Sequence, residues 1–228
     1  KTRPILFSAP MVRAILDGSK TQTRRVVKMT DSGVWHFDKQ CTPIDGFARH
    51  HIGRFGAMFK ADESRWIGPN MPFYEFSPFP YGQIGDQLWV RETWAHDVCA
   101  LSAKCDEDGP FAYAATDSKQ RTIDGKWRPS IFMPRHASRI TLEITGVRVE
   151  RLNDISEVDA IAEGLDYLDV DSGRLWRDYS VKESSHQIDF TLNNPITSYK
   201  TLWESINGKG SWDLSPWVWV IDFKRMAA

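Results

Sequence analysis

The stretch SRITLEITGVRVERL, Ser138–Leu152, decides the fold. Ile140, Leu142 and Ile144 alternate with polar residues, Gly146 interrupts, and Val147 and Val149 resume. A period of two marks strands with one buried face, and a glycine break inside such a pattern reads as the join of a strand pair. Just upstream, GQIGDQLWVRETWA (Gly82–Ala95) is a turn and then a strand, with Leu88 and Val90 on one face and Trp89 and Arg91 on the other. Just downstream, DISEVDAIAEGL (Asp154–Leu165) is a short helix. Ser156 is its N-cap, Asp159 supports the cap three residues on, and Gly164 closes it. Its apolar stripe is Val158, Ile161, Ala162 and Leu165.

Further out, RPILFSAP gives a strand at Ile5–Phe7 and a helix start at Ser8 and Pro10, with Gly18 as the stop. Tyr199, Leu202, Trp203 and Ile206 form another helical stripe, ended by NGKG. The chain closes on WVWVIDF, with Trp217, Trp219, Ile221 and Phe223 sharing a face. Between these pieces, 29–81, 96–130 and 166–195 lack sustained periodicity and read as long irregular insertions, the first two with room for a hairpin. Few short helices among non-alternating strands predict an α+β fold, a small β-barrel with peripheral helices, formed as a single domain over 1–228.

Composition narrows the function. Over 228 residues the chain is 41% apolar and 26% charged, with net charge −1. That excludes coating nucleic acid through bulk charge and leaves room for a local basic site. No apolar run approaches the ~20 residues of a membrane span, and no leader is visible, so a cytoplasmic chain with no membrane association is expected. Cys41, Cys99 and Cys105 are odd in number and irregularly spaced, which argues against a disulfide framework. His96 near Cys99 and Cys105, and Cys41 before His50 and His51, lack the paired short spacings of a structural zinc site. Neither metal nor cofactor is expected.

The local basic site is LDGSKTQTRRVVK, Leu16–Lys28. GSKTQTRR after a short helix, GDQLWVRE on a later strand and a helix ending DAIAEGL together resemble the ASCH family, which is related to the PUA RNA-binding domains. The long form looks like members from bacteriophages and prophages. The resemblance spans 1–28, 82–95, 131–167 and 196–226. It implies a PUA-like pseudo-β-barrel with a cleft for RNA or a nucleoside. In one branch it implies an amidohydrolase that removes the acetyl group of N4-acetylcytidine; another member type is a ribonuclease. In the amidohydrolase branch the catalytic lysine and threonine sit in G-x-K-T-x-T, here Lys20 and Thr23, and the glutamate falls at Glu163. The chain departs from that branch in its length and in Arg91, Glu92 and Trp94 after the GD turn.

Amide hydrolysis suits these residue types. Thr23 is the nucleophile once a neighbour takes its proton, and Lys20 is that neighbour if burial and the charges of Arg24 and Arg25 lower its pKa. Glu163 orients the lysine or protonates the departing amine. Arg24 and Arg25 are placed to fork onto phosphate, with Arg91, Glu92, Arg135 and Arg139 extending the surface. Trp94, Trp89 and Tyr81 are candidates for stacking on a base, with core packing the better reading for Trp89. Read without the resemblance, each charged residue here is ordinary solvated surface. A non-catalytic RNA reader uses the same cleft, and a phage protein docking a host partner through its insertions is a third alternative.

Overall fold

The computed structural model describes residues 1–29, 34–37, 48–50, 54–65, 73–97, 110–122, 125–181 and 188–227. Strand β1 (Thr2–Leu6) leads into α1 (Ala9–Asp17), with Pro10 in its first turn, and Gly18 ends that helix in the left-handed region at φ 86°. The basic stretch then continues as strand β2 (Gln22–Val26). Four strands follow: β3 (Trp35–Phe37), β4 (Ala48–His50), β5 (Arg54–Ala61) and β6 (Tyr74–Pro78). Next come β7 (Gln87–Arg91), β8 (Trp94–His96), β9 (Phe111–Tyr113) and β10 (Thr141–Arg151). The C-terminal part holds α2 (Glu157–Ala162), β11 (Tyr167–Val170), β12 (Gly173–Arg177), β13 (Phe190–Leu192), α3 (Pro195–Asn207) and β14 (Trp217–Arg225).

The main sheet has five strands in the order β1-β7-β10-β14-β2. Only the β1–β7 pair is parallel; the rest are antiparallel. The molecule is α+β, mostly strands with few helices. The five-stranded sheet does not close into the barrel that the sequence predicts: β1 and β2 are its two free edges, and no strand pairing joins them.

Ser138–Leu152 is one strand rather than a pair. β10 runs through Gly146 along β14, with a register shift between Ile144 and Gly146. The glycine marks a bulge, not a turn. A Cβ at 146 would lie 2.7 Å from Oδ2 of Asp222 on β14, so the bulge also admits that carboxylate.

β14 explains why the sheet holds together. Trp219, Ile221 and Phe223 enter one core with Ile5, Leu88, Leu142, Ile144 and the inner face of α1. Val218 and Val220 enter a second core with Leu152, Trp176, Tyr199, Trp203 and Trp212. The apolar face predicted for this strand is present, and the opposite face is buried as well.

All three stretches read as irregular contribute strands to sheets. In the first, β5 is flanked by β3 and β4 on one side and β6 on the other, a four-stranded sheet packed on the first core. Its inward positions are Ala57, Phe59 and Ala61. Two alanines make a weak hydrophobic period, which is why the pattern is hard to see. In the third stretch β11, β12 and β13 form a three-stranded sheet. In the second, β8 and β9 pair as the expected hairpin.

Candidate functional site

The site is built where β2 meets the end of α2. Ser156 Oγ accepts the Asp159 N–H at 3.1 Å, the expected cap. The apolar stripe is buried only in part: Leu165, just past the helix, enters the second core, but Val158 is 75% exposed and Ile161 38%, while Ala160 and Glu163 face inward. Asp159 and Glu163, four apart, share the face turned to β2. The contacts on that face are polar, so the charged face wins over the apolar one.

Glu163 and Lys20 form an isolated antiparallel bridge, and Thr21 N donates to Ala162 O at 2.9 Å. Gly164 makes this approach possible. It sits at φ 77°, and a Cβ there would stand 2.6 Å from Lys20 Cβ and 2.8 Å from Ala14 Cβ.

The Lys20 side chain is fully buried. Its Nζ donates to Gln22 O at 2.9 Å, Glu163 O at 2.7 Å and Glu163 Oε2 at 2.8 Å. Three acceptors match the three protons of an ammonium. Burial lowers the Lys20 pKa, Glu163 opposes the shift, and Arg25 and Arg24 add to it. The direction is the one expected from the sequence. The predicted contact is not: no hydrogen bond joins Lys20 to Thr23. Lys20 stands at the isolated bridge and β2 begins at Gln22; Lys20 and Arg24 turn to Glu163, while Thr23 shares the other face with Arg25. Thr23 Oγ1 instead accepts from Arg25 Nη1 at 2.9 Å.

Arg24 completes the cradle of Glu163. Its Nη1 donates to Glu163 Oε1 at 3.1 Å and Gln22 Oε1 at 2.6 Å, and its Nη2 pairs with Glu150 Oε1 at 2.5 Å. Tyr199 Oη donates to Glu163 Oε1 at 3.3 Å. Burial, with Glu163 beside it, pushes the Tyr199 pKa well up, so the phenol stays a donor. Behind this lies a second tier: Gln22 Nε2 donates to Asp159 and Asp222, and Arg148 reaches Glu150, Asp159 and Asp222.

A cavity of about 510 Å³ opens between the two free edges of the main sheet. Leu6 of β1, Thr23, Arg24, Arg25 and Val26 of β2, and Glu163 line it, with Met11 of α1 and Tyr199, Leu202, Trp203 and Ile206 of α3. Four of the predicted residues therefore share one cavity: Thr23, Arg24, Arg25 and Glu163. Lys20 is not in the lining and stands behind Glu163.

The other predicted residues lie elsewhere. Glu92 is buried and takes a two-bond fork from Arg139, Nε and Nη2 each at 2.9 Å. The Arg139 guanidinium stacks on Tyr113 at 3.9 Å. Trp94 is buried in a small cluster with Met133 and Ala137. Arg91 donates to Met133 O at 3.0 Å, and Arg91 and Arg135 both lie over the Trp89 ring. None of Arg91, Glu92, Trp94, Arg135 or Arg139 lines the cavity; Thr93 and Ser130, from the same neighbourhoods, do. Cys41, His51, Cys99 and Cys105 fall outside the described residues.

Sequence reasoning missed Tyr199, read as core, and the tier of Gln22, Glu150, Asp159 and Asp222. One signal was available: the acids four apart on α2, opposite the polar alternation of Gln22 and Arg24. No described helix is long and apolar enough to cross a membrane. No family model matches the chain, and neither a curated protein nor a solved structure is significantly similar to it.

Proposed function

We propose that the chain is a cytoplasmic ASCH-type protein of PUA-like build, and that its cavity takes a pyrimidine nucleoside, free or within RNA, and hydrolyses an amide on it such as that of N4-acetylcytidine. One observation carries this reading: a threonine hydroxyl and a cradled carboxylate, Thr23 and Glu163, line the same cavity between the free sheet edges. About 510 Å³ is within the range of small-molecule sites, and the walls supplied by Phe7, Tyr199 and Trp203 suit a flat base.

In this mechanism Thr23 Oγ1 bonds to the acetyl carbonyl carbon while its proton passes through a water in the cavity to Glu163, because Thr23 shares a strand face with Arg25 and Glu163 bonds to Arg24 on the other. The C–N4 bond then breaks as Glu163 returns that proton to the amine, releasing cytidine. Water hydrolyses the acetyl ester, giving acetate and restoring Thr23. Lys20, Arg24 and Tyr199 hold the Glu163 carboxylate in place throughout. Preorganised donors of this kind need no rearrangement as charge moves.

A second reading is favoured by a separate observation. The three acceptors on Lys20 Nζ leave it no lone pair for Thr23. A site so saturated suits a reader that binds a nucleoside or RNA without reacting. The test is incubation with N4-acetylcytidine and with a mixed RNA, following cytidine release and strand scission. Cytidine release that disappears in Thr23→Ala and Glu163→Gln supports the hydrolase. Binding with no product supports the reader, and scission alone supports a ribonuclease.

A further inference from the structure

The two adjacent arginines of β2 are unlike each other. Arg24 is neutralised by carboxylates: Glu150 and Glu163 take its N–H groups, and Asp159 lies 3.5 Å from Nη2. Arg25 bonds only to neutral acceptors. Its Nη1 donates to Thr23 Oγ1 at 2.9 Å and Arg24 O at 3.1 Å, and its Nη2 to Leu6 O at 2.9 Å. Among the described residues no carboxylate lies within ion-pair distance of it. Arg25 also lies over the Phe7 ring, 5.3 Å from its centroid, and lines the cavity.

A guanidinium carries more N–H donors than these bonds use. Arg25 is thus a half-buried cation, fixed in place by three bonds and a ring, with spare donors and no counter-ion among the described residues. Partly exposed, it is solvated by water when the cavity is empty and is placed to exchange that water for an anion. Ser8, which makes no side-chain cap bond at the start of α1, lines the same cavity, so the positive end of that helix lies nearby. Arg25 carries the site; the helix end adds positive potential to it.

We infer that Arg25 is the anion-binding group of the cavity and that its ligand is an oxyanion held next to Thr23 Oγ1. This rests on reading the cavity as a nucleoside site. Two sources supply such an oxyanion. One is the phosphate of a nucleotide. The other is the tetrahedral intermediate of amide hydrolysis, whose charged oxygen sits on the carbon newly bonded to Oγ1, beside the Arg25 guanidinium. Arg24, already paired, takes neither.

The experiment uses the full chain, as wild type, Arg25→Gln and Arg25→Lys, with circular dichroism to confirm that each is folded. Calorimetry at low salt gives the affinities for cytidine and cytidine 5′-monophosphate, and kinetics on N4-acetylcytidine give kcat and KM. If phosphate is the anion, the wild type binds the monophosphate about tenfold or more tightly than cytidine. Arg25→Gln then erases the difference, and Arg25→Lys keeps part of it. If the oxyanion is the intermediate, cytidine and its monophosphate bind alike. In that case Arg25→Gln lowers kcat by about 10²–10³ while KM stays within about twofold, the pattern of a lost oxyanion donor. Equal binding of both ligands with kcat unmoved by Arg25→Gln overturns the inference. A wild type that releases no cytidine sinks the hydrolase reading alone; the inference is then judged on the monophosphate, and no preference for it over cytidine overturns it.

Discussion

Two buried glutamates, Glu163 and Glu92, are both held by arginine, and the difference between them separates a site from a clamp. Glu92 takes one fork from Arg139, which also stacks on Tyr113, and it does not line the cavity of Glu163. Glu163 takes single bonds from Lys20, Arg24 and Tyr199 on three different elements, and it still lines a cavity. A carboxylate closed by one partner joins two segments. A carboxylate suspended by three donors at a cavity wall can receive a ligand without losing its supports.

Four measurements break or sharpen this contrast. Lys20→Met removes one partner of a fully buried pair and leaves Glu163 under-compensated. Urea unfolding is expected to show a loss of about 3–5 kcal/mol, with ligand affinity falling as well. Arg139→Met, at the clamp, is expected to cost about 3 kcal/mol in the same assay yet leave cytidine affinity unchanged. Equal effects on affinity at both places would erase the distinction. Tyr199→Phe keeps the ring and removes one donor to Glu163. A loss of about 1 kcal/mol is expected, with the melting temperature little changed.

The smallest effect is on acid stability. Asp159 is held below the usual carboxylate range: burial works the other way, but hydrogen bonds from Gln22 and Ser156 and the charges of Arg148 and Arg24 outweigh it. Its folded pKa lies below its unfolded value. The stabilisation is therefore present above about pH 4 and is lost as pH falls through the folded value. Unfolding free energies of wild type and Asp159→Asn are expected to differ at pH 7 and to converge in strong acid. A difference that stays constant with pH would contradict the assignment.

Much of the fold was legible because burial and periodicity agree there. β7 and β10 alternate visibly, β14 is a nearly unbroken apolar run buried on both faces, and the caps at Gly18, Ser156 and Gly208, with Gly164 just past α2, are local chemistry. The errors have physical causes. Gly146 reads as a turn, but a glycine inside a strand serves a bulge equally well. β5 hides behind alanines. The stripe on α2 misleads because Val158 and Ile161 are left outside while an ionic network takes the inner face.

The site divides in the same way. Thr23, Arg24, Arg25 and Glu163 line one cavity, and Lys20 does not. Lys20 can serve Thr23 only if the chain turns between them, and instead it runs from the Lys20 bridge straight into β2. Arg91, Glu92, Trp94, Arg135 and Arg139 pack instead around Trp89, Tyr113 and Met133, outside the cavity lining. Which charge faces a cavity and which faces another charge depends on tertiary pairing, and no local pattern states it.

The most direct measurement is a structure of the chain soaked with cytidine. The account predicts the base in the cavity between β1 and β2, its exocyclic amine within hydrogen-bond distance of Glu163 and its ring against Tyr199 or Phe7. Cytidine bound elsewhere, or an empty cavity at saturating cytidine, would contradict it.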